Sequence, residues 1–167
     1  WCQTDGVLIT GRNIRFESST VTDNAQVYGG AGWCEGVPAY HGIKATRSPV
    51  IIKGNTVYNN CGNGIYSITA SIENNSVFNN YITNIYGTII KSNVSQCEFS
   101  PHTGITFTGG ANVYQNYVSG CENGIVSGGI VYASIKENLV VGDTIRLIHN
   151  AWGTTVQGNN TSLPIVV

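Results

Sequence analysis

Apolar and small residues recur along this chain with a fixed spacing. Ile65, Ile85, Ile105, Ile125, Ile145 and Ile165 follow one another at intervals of twenty residues. Each is preceded by a small or turn-forming residue (Gly64, Asn84, Gly104, Gly124, Thr144, Pro164), and Gly42-Ile43 and Gly6-Val7 extend the series backwards. A second feature repeats in step: an apolar residue, an Asn three later, an apolar residue two further on. It reads Ile52-Asn55-Val57, Ile72-Asn75-Val77, Val113-Asn116-Val118 and Ile135-Asn138-Val140, with a weaker copy at Val156-Asn159-Thr161. Gly64 to Ile68 alternates with period two, and no stretch has the 3.6-residue period of a capped helix. Twenty residues accommodate three short strands and their turns, so each unit is one coil of a parallel β-solenoid. The pattern predicts an all-β chain forming a single right-handed parallel β-helix over residues 1–167, with about seven to eight coils of about twenty residues. A long insertion, 20–41, sits in the first coil.

Within such a coil the isoleucines point inward as an apolar ladder. The asparagines stack at one turn, each amide bonding to the coils above and below. Ser95 stands at the asparagine position of the fourth coil, in step with Cys97 at the following apolar position, and is expected to interrupt the ladder. The turn that leads to each isoleucine shortens towards the C-terminus, so the insertion at 20–41 is the largest loop on a rigid frame and a natural place for function.

The pattern Ile-x-x-Asn-x-Val-x-x-Asn followed by Gly/Asn-Ile, at 52–65 and 72–85, resembles the right-handed parallel β-helix superfamily. That group takes in pectin-degrading enzymes, alginate epimerases, phage tailspikes and fibrocystin-like extracellular proteins, and Val50–Ser67 is most similar to the last. The resemblance covers nearly the whole chain and implies a fold, not a chemistry.

Composition narrows the function. Only 10% of the 167 residues are charged and the net charge is −1, which excludes nucleic-acid binding through a basic field. The longest apolar run is four residues, too short to enter a membrane as a helix. The chain has no Met and ends on Ile165-Val166-Val167, an uncapped strand. A segment of a larger protein is therefore expected, whose partners are other domains of the same chain or stacked copies of itself.

Five cysteines, Cys2, Cys34, Cys61, Cys97 and Cys121, show no Cys-x-x-Cys spacing, so neither a metal site nor a cofactor is expected. Cys97 reads as a buried apolar position, and a disulfide between Cys2 and Cys34 is expected to pin the insertion. Asn74, Asn93 and Asn160 head Asn-x-Ser/Thr tripeptides and are candidate glycosylation sites. With the disulfide they point to an extracellular or cell-surface protein.

In enzymes of the superfamily it resembles, the working surface is the outward face of the strand that carries the isoleucine ladder. Here the outward residues are Lys44, Tyr66, Tyr86, Thr106, Val126 and Arg146. Tyr66 and Tyr86 are candidates for binding a glycan, or for stacking that holds adjacent strands together. Lys44 and Arg146 are the available bases. Phe99-Ser100-Pro101-His102 is similar to the Asp-Pro-His element of alginate epimerases, with Ser100 in place of the acid, which leaves His102 as a proton-transfer candidate without its partner. The carboxylates fall at scattered phases and form neither a calcium cluster nor a hydrolytic pair. The expectation is a non-catalytic extracellular module with a structural or adhesive role in a larger surface or filament-forming protein. The alternative is a carbohydrate-active enzyme or glycan-binding β-helix.

Overall fold

Isoleucines one coil apart lie on top of one another because parallel strands stack about 4.8 Å apart with like residues in register. The computed structural model describes residues 5–24, 34, 40–98, 103–147 and 153–166, with the backbone alone at 130 and 131. It is an all-β parallel solenoid without helix among these residues. Its first face runs through Val7–Ile9, Ile43–Ala45 and the strands containing Ile65, Ile85, Ile105, Ile125 and Ile145. The second carries the strands around Phe16, Ile52, Ile72, Ile90, Val113, Ile135 and Val156. The third stacks Thr20–Thr22, Thr56–Tyr58, Ser76–Phe78, Val94–Gln96, Tyr117–Ser119, Leu139–Val141 and Asn160–Thr161.

The solenoid makes about five turns of about 21 residues, slightly fewer than the seven to eight expected. Val7 precedes the insertion, and at the last coil the first face is represented only by the bridge between Arg146 and Val166.

The core is the stack of inward residues. Ile43, Ile65, Ile85, Ile105, Ile125 and Ile145 are fully buried, as are Ile52, Ile72, Ile90, Val113 and Ile135 on the second face. Phe107, the largest buried side chain, is accommodated because its register neighbours are Gly87 and Ser127. Glycine before the isoleucine is selected by space. A Cβ on Gly42 would lie 2.7 Å from Asn60 Nδ2 and 2.8 Å from Val57 Cγ1.

The turn from the second face to the third is where the asparagines sit. Each follows a residue with positive φ, at Gly54, Asn74, Ser92, Gln115, Glu137 and Gly158, and Ser18 before Ser19 has the same conformation in the first coil. The left-handed residue turns the chain sharply and drops the next side chain inside. Asn55 N–H and Nδ2–H both donate to Asn75 Oδ1, at 2.9 and 3.0 Å, and Asn75 donates likewise to Asn93, Asn93 to Asn116, Asn116 to Asn138 and Asn138 to Asn159.

The ladder is therefore continuous, and Ser95 does not interrupt it. Asn93 is the fourth coil's member, eighteen residues after Asn75. The slip arises at Gly87, whose tight turn from first to second face brings Ile90 into register with Ile72. Ser95 then takes the inward position opposite Val77, which sequence spacing had given to Cys97. The stretch from Ser95 to Ile105 is two residues longer than that from Val77 to Ile85, and this restores the phase.

Replacing Asn75 by Ala strands the buried Asn55 N–H and the Ile52 carbonyl, at about 1–3 kcal/mol each. Asn75→Ala is expected to lower the thermal midpoint by roughly 5–15 °C. Asn74→Gly, at the adjacent exposed positive-φ position, should leave it within a few degrees of the parent. Circular-dichroism melts of the two variants check both.

Candidate functional site

The outward row of the first face is in register from Leu8 through Lys44, Tyr66, Tyr86, Thr106 and Val126 to Arg146. Alternation makes these side chains neighbours, and the aromatic ones stack. The Tyr66 and Tyr86 rings lie 4.9 Å apart with planes 20° from parallel. His41, absent from the sequence candidates, lies 4.7 Å from Tyr66 on the other side, at 7°. Tyr66 thus has a ring against each face. What these residues offer a sugar is ring edges and hydroxyls rather than an open aromatic platform.

His41 is held by its backbone N–H, which donates to Asp5 Oδ1 at 2.8 Å, and by its Nδ1, which accepts the Asn63 N–H at 3.1 Å. Burial lowers its pKa, opposed by the Asp5 carboxylate and reinforced by Lys44. An acceptor at Nδ1 places the proton of the neutral ring on Nε2. Lys44 Nζ is 3.5 Å from Asp5 Oδ2, so the candidate base is paired with a carboxylate. Arg146 is exposed and donates to Asn123 Oδ1 at 3.3 Å. Five strand steps separate Lys44 from Arg146, about 24 Å, too far for both to act on one bond. His102 lies outside the described residues, as do most of the insertion and Cys2. The structure brings together Asp5, His41, Lys44, Asn63, Tyr66 and Tyr86, and leaves Arg146 apart.

The other turn that concentrates buried chemistry joins the third face to the first. Left-handed residues recur there too, at Asp23, Asn59, Asn79, Gly120 and Gly142, each followed by an inward side chain. Asn24, Asn60 and Asn80 form a second amide ladder: Asn24 Nδ2 donates to Asn60 Oδ1 at 2.6 Å and Asn60 Nδ2 to Asn80 Oδ1 at 2.8 Å. Asn84 continues it from a different phase, accepting from Asn80 and donating to Ser95 Oγ and the Gln96 carbonyl. The second Asn of the Ile-x-x-Asn-x-Val-x-x-Asn motif was the signal for this ladder.

Both disulfides lie at this turn. Cys34 is bonded to Cys61, beside Asn60, and not to Cys2. Cys97 is bonded to Cys121, with Cα atoms 4.8 Å apart, and is not a free apolar thiol. The register slip accounts for the second pairing, because it moves Cys97 out of the core strand and into the turn beside Cys121. Two cysteines separated by about one coil were the legible sign. Two disulfides are compatible with an extracellular protein, and no helix among the described residues is long and apolar enough to cross a membrane.

The candidate glycan acceptors separate by burial. Asn93 is 1% exposed and its amide donates to Ile72 O, Lys91 O and Asn116 Oδ1, so it offers nothing to the surface. Asn74 and Asn160 are exposed.

Asp143 occupies the second ladder's position in its coil and is 1% exposed. Its Oδ2 accepts the Cys121 N–H at 3.2 Å, as Asn80 Oδ1 accepts that of Asn60. Its Oδ1, which stands where an asparagine has its NH₂, has no hydrogen-bond partner. Desolvation raises its pKa, with the Cys121 N–H opposing. In the other coils this position faces carbonyls, with Asn80 Nδ2 donating to Phe78 O and Val57 O. A protonated carboxyl has a hydrogen to donate at this position, as an amide does; a carboxylate has none.

The stabilising effect of a raised acid pKa is complete below the unfolded value near 3.9 and is lost as pH rises through the folded one. Asp143→Asn restores the donor at every pH. It is expected to raise the midpoint by roughly 2–8 °C at pH 8 and by clearly less at pH 4, measured by melts across that range. Equal effects at both pH values would show that Asp143 carries no proton in the fold.

Compared with protein-family models, with curated proteins and with solved structures, the chain finds no match in any of the three.

Proposed function

We propose that this chain is a non-catalytic extracellular β-solenoid module with a structural or adhesive role in a larger surface or filament-forming protein, of the right-handed parallel β-helix type that its repeat resembles. The observation that carries the reading is the bracing of successive coils. Amide ladders run along two of the three turns, and both disulfides join the second of them. Such a frame transmits load and displays faces without rearranging, and its disulfides suit an oxidising exterior. Asn74 and Asn160 are its proposed glycan acceptors.

The alternative, a carbohydrate-active β-helix, draws on the cluster of His41, Lys44, Tyr66 and Tyr86. It has the weaker support, since Lys44 is paired with Asp5 and Tyr66 is covered on both faces.

The test is incubation of the oxidised chain with polygalacturonate, alginate and neutral glucans, followed by assays for unsaturated products and new reducing ends. No turnover above a reduced and unfolded control is expected. Turnover that disappears in Lys44→Ala or His102→Ala would replace this reading with the enzymatic one. Electron microscopy of native material is expected to show the rod embedded in longer surface structures.

A further inference from the structure

Charge is distributed unevenly around the solenoid. On the second face the outward positions include Arg15, Glu17, Lys53, Glu73, Lys91 and Lys136. On the third face none of the seven strands contains Lys, Arg, Asp or Glu. The six three-residue strands each bury the middle residue and turn the flanking residues outward. Thr20, Thr22 and Thr56 project at one end. Further along, Tyr58 and Phe78 follow one another in one outward row and Val94, Tyr117 and Leu139 in the other, while Gln96 and Ser119 separate Phe78 from Val141; Val94, Leu139 and Val141 are each 38–41% exposed. Uncharged rows that mix exposed apolar and aromatic side chains with hydroxyls suit a ligand of the same mixed character.

Its geometry is fixed in advance. The continuous amide ladder borders one edge, and the second ladder with the Cys97–Cys121 disulfide borders the other. Strand length is held at two to three residues throughout, so the face is narrow and its side chains are held in register before any ligand arrives.

We propose that the third face binds an extended, uncharged polysaccharide lying along the solenoid axis. Three residues by seven strands measure roughly 10 Å by roughly 30 Å, about 300 Å². Even doubled for side-chain relief, that is below the ~800 Å² per partner of a stable protein interface, which disfavours a second copy as occupant. A single linear chain matches the long, narrow shape. Charge selects among polymers: the face offers an anionic uronate chain no cation, whereas the C–H faces of neutral sugars pack on the Tyr117 ring and the aliphatic side chains. The hydroxyls of Thr56, Tyr58, Ser76 and Ser119 stand alongside to hydrogen-bond. This inference rests on the adhesive reading and supplies its ligand class.

The experiment is depletion of the oxidised 167-residue chain by microcrystalline cellulose and by chitin, with affinity electrophoresis in polygalacturonate and alginate as the anionic arm. Three proteins are compared: the parent, the third-face variant Val94→Lys/Leu139→Lys, and the second-face control Ser134→Lys. Both altered third-face side chains are exposed, and melts confirm folding. The parent and the control are expected to be retained equally by at least one neutral polymer, the third-face variant at least tenfold less, and neither anionic polymer to retard the parent. Failure of a folded parent to bind either neutral polymer overturns the inference, as does equal binding by the third-face variant. Sedimentation showing a parent dimer that the third-face variant dissociates would assign the face to a second copy and overturn it too. Sugar products released during retention would sink the non-catalytic reading while leaving the face assignment standing.

Discussion

A buried primary amide has to find partners for two donors and one carbonyl oxygen, and a stacked asparagine finds them only in the coils directly above and below. That demand governs the rest of the molecule. Asn75 accepts from Asn55 and donates to Asn93 and to the Ile52 carbonyl, so three successive coils must sit at strand spacing with their turns aligned. The distance along the chain from a second-face core residue to a third-face one is accordingly the same in every coil: Ile52 to Val57, Ile72 to Val77, Ile90 to Ser95, Val113 to Val118, Ile135 to Val140. The left-handed residue before each asparagine follows from the same requirement, since the chain must reverse within one residue to point the amide inward.

Outside the turn that carries the main ladder, length varies. The turn from first to second face is short at Gly87 and long after Phe107 and Ser127, and the turn from third to first face contains the insertion at 20–41. The cluster of Asp5, His41 and Lys44 and both disulfides lie at or beside this second variable turn. Variation is confined to edges, while the third face, bounded by both ladders, stays regular.

The repeat, the inward isoleucines and the main asparagine ladder were legible because identical side chains recur at a constant interval, and parallel stacking converts interval directly into contact. Ser95, Cys97 and Asn93 were not, because one coil shortens ahead of them and lengthens after them, leaving the twenty-residue isoleucine spacing intact while the second and third faces slip by two. A counting argument anchored on the isoleucines does not see a compensated slip. The candidate site was legible as an outward row, including the contact of Tyr66 with Tyr86. His41 lay beyond that reasoning, since its place on the stack comes from a turn and from the Asn63 N–H, which no periodicity announces. Asp143 was visible only as a scattered acid until its phase showed that it stands in for an amide.

The Cys97–Cys121 bond has a mechanical consequence. A solenoid pulled along its axis peels one coil at a time, because each coil is held by its neighbours alone. Every coil released adds its extended contour, roughly 7 nm for about twenty residues. The disulfide joins cysteines 24 positions apart and withholds the segment between them from that extension, whatever the force on the strands around it. Peeling from the C-terminal side would proceed through the coils of Asn159 and Asn138, which rest on amides and apolar stacking, and would then pass from Cys121 straight to Cys97 through the bond. The rod thus carries a built-in limit to its own lengthening, set by the redox state of one turn.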